Sequence, residues 1–126
     1  MIANKGYAAY ASSKINTATP AELTLMLYEG SIKFCNLAIN GVNEKDIEKA
    51  HQNIMKVEHI IQELQATLNF KYPVANDFNA VYTYLLERLL QANIKKDEEI
   101  LQEVLGHLRT MRDTWKEVMK TAKLSQ

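Results

Sequence analysis

Residues 43–69, NEKDIEKAHQNIMKVEHIIQELQATLN, decide the fold. Within them Ile47, Ala50, Ile54, Val57, Ile61, Leu64 and Leu68 recur at alternating steps of three and four. A helix turns once in about 3.6 residues, so this spacing gathers those side chains into one apolar stripe that needs a partner. The pattern stops at Phe70-Lys71-Tyr72-Pro73-Val74, because Pro73 disfavours helical backbone at Tyr72. Downstream, a third helix carries Phe78, Val81, Tyr82, Leu85, Leu86, Leu89 and Leu90, and is expected to end near Asn93. Asp97 suits the N-cap of a fourth, with Glu98 and Glu99 against its N-terminal dipole and Lys116, Lys120 and Lys123 toward its far end. The stripe of that helix is Leu101, Val104, Leu108, Met111, Trp115, Val118 and Ala122. Upstream, Thr19-Pro20-Ala21-Glu22 has the form of a capping box, with Thr at the N-cap, Pro at the first helical position and Glu reaching back. It opens the first helix, and Gly41 is the expected stop.

Helices of this length joined by short connections lie antiparallel to their sequence neighbours. The expected fold is therefore all-α, an antiparallel up-down four-helix bundle. It forms one domain over residues 1–126, with residues 1–18 as a loosely structured N-terminal arm and residues 19–126 as the bundle. Lys+Arg and Asp+Glu number 15 each, so the net charge is zero and the basic excess that phosphate binding requires is missing. No nucleic acid is expected as a partner. Membrane insertion is not expected either, since no apolar run approaches the ~18–20 residues of a span. No apolar signal segment precedes Ala9-Tyr10-Ala11, and the single cysteine, Cys35, fits a reducing compartment. The expected location is the cytoplasm.

Catalytic chemistry finds little support. Di-iron bundles use paired Glu-x-x-His motifs, whereas this chain has one, Glu48 and His51, and places it outside the apolar stripe. His59 also falls on the polar side of that helix, and His107 stands four residues after Glu103, as in a surface pair. Cys35 lies among apolar residues and reads as a small buried hydrophobe. No catalytic group, metal or cofactor is expected.

An excess of apolar surface is more informative. In the first helix Glu22, Glu29, Lys33, Asn36 and Asn40 form one narrow polar stripe. Leu25, Tyr28 and Ile32 then make a second apolar row beside Leu23, Leu27, Phe34 and Leu37. The third helix does the same, with Tyr82, Leu86 and Leu90 beside Phe78, Val81, Leu85 and Leu89. Four covers fit this surplus: an arm carrying Tyr7 and Tyr10, a partner helix, a second copy in a symmetric homodimer, or a wide core that absorbs the rows.

Ala18-Thr19-Pro20-Ala21-Glu22-Leu23-Thr24-Leu25-Met26-Leu27-Tyr28-Glu29-Gly30 resembles the opening motif of the FliS flagellar secretion chaperones. Ile60-Ile61-Gln62-Glu63-Leu64, Thr67-Leu68-Asn69, Tyr82-Thr83-Tyr84-Leu85 and Arg112-Asp113-Thr114-Trp115-Lys116 resemble later parts of the same family. The resemblance implies a cytosolic chaperone that binds the disordered C-terminal segment of flagellin and presents it to the cytoplasmic domain of the flagellar export gate. Its client grooves would be lined by Leu25, Tyr28, Ile32, Ile60, Leu64, Tyr82, Leu86 and Leu90, with Tyr7 and Tyr10 as a lid or export-gate contact. One departure is that the family often has glycines where this chain has Phe70-Lys71-Tyr72-Pro73-Val74.

Overall fold

A computed structural model describes residues 17–124, with side chains to residue 122. Four helices follow one another: α1, Pro20–Asn43; α2, Ile47–Ala66; α3, Val74–Lys95; and α4, Glu98–Leu124. Cross-helix neighbours fix their directions. On α1 and α2, Gly41 meets Ala50 and Gly30 meets Ile60. On α2 and α3, His51 is bonded to Asn93 near one end and Gln65 to Asn79 near the other. Arg88 on α3 pairs with Glu103 on α4, and Cys35 on α1 reaches Leu101 on α4. Each pair runs antiparallel, and α4 closes against α1, so the expected four-helix bundle is the observed fold.

The cap of α1 forms largely as its sequence indicates. The Thr19 Oγ1 accepts from the Glu22 backbone N–H at 3.1 Å, although the Glu22 carboxylate bonds the Thr19 hydroxyl rather than its amide. Gly41 does not end the helix. It allows close packing instead: a Cβ there would stand 2.6 Å from the Ala50 backbone nitrogen. The helix continues to Asn43 and closes through Lys45, which takes the left-handed conformation at φ 59°. The Lys45 amide donates to Val42 and the Asp46 amide to Gly41, which is a Schellman closure with lysine in the place usually held by glycine. Asp46 then caps α2 by accepting from the Lys49 amide. The same device recurs after α3, where Lys96 at φ 51° precedes Asp97, which caps α4. These two corners, residues 44–46 and 96–97, lie at one end of the bundle.

The α2 stripe holds at its centre. Ala50, Ile54, Val57, Ile61 and Leu64 are all buried, whereas Ile47 at the start is exposed and Leu68 falls beyond the helix end. On α1 the two apolar rows exchange places, which corrects the sequence reading; on α3 Leu85 and Leu89 stay inward as expected, and only Tyr82 and Val81 are reversed. Tyr28, Ile32, Cys35 and Ile39 form the α1 core line, while Leu23, Leu27, Phe34 and Leu37 are half-buried beside it. On α3 the core line is Ala75, Tyr82, Leu85, Leu89 and Ala92, and Val81 is exposed. Burial along α4 stops at Leu108; Met111 and Trp115 are half-buried and Val118 is exposed.

Candidate functional site

At the end opposite the two corners the helices part around an apolar cleft of about 420 Å³, within the usual range for a ligand pocket. Its walls come from Pro20, Leu23, Thr24, Leu27 and Tyr28 on and around the first turns of α1, and from Val74, Ala75, Phe78 and Tyr82 on α3. Thr67, Leu68, Asn69 and Tyr72 of the α2–α3 connection and Trp115 of α4 complete it. None of these side chains carries a charge.

Helix length explains why the cleft opens here. At about 1.5 Å per residue, the 27 residues of α4 outrun the 20 of α2 by roughly 10 Å. Apolar residues beyond Leu108 therefore project past the layer that α2 can cover. The connection after α2 adds Phe70 and Tyr72, both more than half exposed. Trp115 keeps this end from splaying: its Nε1 donates to the Ala21 carbonyl at 2.9 Å, tying α4 to the first turn of α1.

The cleft's floor holds a buried polar pair. The Tyr28 and Tyr82 hydroxyls are 2.7 Å apart, with the two residues only 2% and 3% exposed. Burial pushes both phenols above their ordinary range, so both stay protonated at neutral pH. Phe78 stacks against Tyr82 with ring centroids 6.4 Å apart.

The residues expected to line client grooves are not brought into one row. Tyr28 and Tyr82 share the cleft floor, and Ile32 and Leu64 are buried core. Leu25 is half-buried on α1, and Ile60 lies against Gly30. Leu86 packs partly on the core, while Leu90 is 57% exposed farther along α3. Tyr7 and Tyr10 lie outside the described residues. The sequence reading did not assemble the cleft itself; a fourth stripe longer than the second, together with apolar residues in a connection, was the signal for it.

Other candidate chemistry resolves into structural contacts. Cys35 is fully buried, its thiol pushed up to about 12 by desolvation, and its Sγ approaches the Leu101 carbonyl at 3.5 Å. His107 stands 3.6 Å from Glu103, in a surface cluster where Glu103 also accepts from Arg88 and from the Tyr84 hydroxyl. Among the described residues no group of three or more His, Cys, Asp or Glu is placed to hold a metal, and no helix is long and apolar enough to cross a membrane.

Comparison with known proteins adds an independent finding. Residues 3–122 match the family model described as flagellar protein FliS. A flagellar secretion chaperone FliS from Bacillus subtilis (strain 168) is 44% identical over 115 residues, which cover 91% of this chain and 86% of that protein. Proteins of the same description from Campylobacter jejuni (strain 81116) and Escherichia coli (strain K12) are each 29% identical, covering 98% and 100% of this chain and 98% of each relative.

Proposed function

Because the chain belongs to the FliS family of flagellar secretion chaperones, we propose that it binds the disordered C-terminal segment of flagellin in the cytoplasm. In this reading it prevents premature polymerisation and delivers the client to the type III export apparatus, through the cytoplasmic domain of the export gate. The observation that carries the reading is the uncharged, open cleft at the end of the bundle. A disordered segment entering it loses conformational freedom and gains burial of its apolar face, which suits a chaperone that works without ATP. Leu25, Leu86 and Leu90 extend the contact along the bundle, and Tyr28 and Tyr82 meet the client from the cleft floor. The N-terminal arm with Tyr7 and Tyr10 acts as a lid or contacts the export gate.

Titration of the protein with a tryptophan-free flagellin C-terminal peptide tests this. Trp115 is the chain's single tryptophan and lines the cleft, so its emission should shift to the blue as the client excludes water. Helix content should rise above the sum of the parts, with a negative heat-capacity change. An unchanged dichroism sum with unmoved Trp115 emission would refute the reading. Self-association through Leu90 and its neighbour Ile94, 75% exposed, is the rival occupancy; it predicts a dimer in light scattering that the peptide does not alter.

A further inference from the structure

The tyrosine pair on the cleft floor has an unequal hydrogen-bond account. Two phenols carry two hydroxyl protons, and the bond between them uses one. Neither hydroxyl has another bonding partner among the described residues. Among the described residues one proton is therefore left without an acceptor, at a site that is almost wholly buried yet borders the cleft. A buried donor without an acceptor is costly, so a ligand that supplies the acceptor is favoured over an equally apolar one that does not. The charge-free lining narrows the acceptor's chemistry. A carboxylate entering the cleft would lose its hydration and meet no cation, whereas a carbonyl oxygen loses far less.

We propose that Tyr28 and Tyr82 act together as the polar reader of the cleft, donating one hydroxyl proton to a main-chain carbonyl oxygen of the client. This rests on the client-binding reading above and deepens it. An internal, uncharged stretch of flagellin's C-terminal segment enters the cleft, and the terminal carboxylate stays outside. The pair fixes the depth and register of an otherwise greasy contact.

Isothermal titration of the same flagellin peptide, as free acid and as C-terminal amide, tests the assignment on the wild type, both single Phe variants and Tyr28→Phe/Tyr82→Phe. Replacing both partners by rings of the same shape is close to neutral for folding, so a purely structural pair leaves the double variant stable and binding normally. The reader assignment instead expects a stable double variant that binds about three- to tenfold more weakly. Each single variant is expected to lose stability but to bind better than the double, because its surviving hydroxyl is released from the pair. Acid and amide peptides should bind the wild type equally. A folded double variant with wild-type affinity overturns the assignment, as does a preference for the free acid. If the double variant does not fold, loss of binding in both folded single variants overturns it as well. No binding to the wild type refutes the client reading, and this assignment with it; binding that the double variant matches refutes the assignment alone.

Discussion

Gly41 and Gly106 both sit in helical backbone, yet their surroundings make opposite demands. A Cβ on Gly41 would stand 2.6 Å from the Ala50 nitrogen and 2.9 Å from its Cα, and backbone cannot swing aside. Gly41→Ala should therefore force α1 and α2 apart and cost about 1–3 kcal/mol. A Cβ on Gly106 meets nothing within 4 Å, so Gly106→Ala should gain roughly 0.8–1 kcal/mol from helix propensity alone. Urea midpoints moving in opposite directions would check both. The tyrosine pair shows at the same scale why the sequence misled. Periodicity alone allows either of two adjacent rows on α1 to face inward, and the arrangement with Leu23, Leu27, Phe34 and Leu37 inside would leave the Tyr28 hydroxyl in water. Tyr82, 54 residues away, removes that penalty by giving the hydroxyl a buried partner. No local pattern carries that information.

The helices differ in how much of each was legible. The α2 stripe was readable because its apolar residues occupy one face and no second row competes. The two Lys-Asp corners were half legible: the Asp97 cap could be read from its residue type, whereas a left-handed lysine at 45 or 96 has no composition signal. Between α3 and α4, Glu103 accepts from Tyr84 and Arg88, and these bonds hold its carboxyl below the usual glutamate range. Over that interval the folded state binds fewer protons than the unfolded one. Its contribution is thus complete above the ordinary glutamate value of about 4.3 and fades as pH falls through the lowered folded value. Wild type should be modestly more stable than Glu103→Gln at neutral pH, and chemical denaturation at stepped pH should show the difference closing in acid. A constant difference down to strongly acid pH would contradict this.

For the molecule as a whole, four helices, their order and their antiparallel packing followed from spacing and caps, because each depends on residues close in sequence. The cleft did not, because it depends on unequal helix lengths and on Trp115 meeting Ala21 across 94 positions. That division sets expectations for charge insertions. Leu64 is 1% exposed, so Leu64→Asp should unfold the bundle, whereas Leu90, 57% exposed, should tolerate Asp within about 0.5 kcal/mol. If Leu90 contacts the client, Leu90→Asp should still weaken binding by roughly 2–4 kcal/mol, read by calorimetry against an unchanged melting curve.

The two tight corners at one end and the open cleft at the other give the bundle an axis of unequal persistence. Amides near the corners, around Ile54, Leu89 and Leu101, lie in packed helix and should exchange with deuterium only when the whole molecule unfolds. Amides of the first turns of α3 and of α4 beyond Leu108 should exchange through smaller excursions that leave the corners intact. Mass spectrometry of exchanged peptides should show that gradient, and uniform protection along α4 would contradict it. With that gradient the chain would loosen repeatedly at one pole while the other preserves the fold, so under the proposed function taking up and releasing a long flexible guest would not require the host to refold.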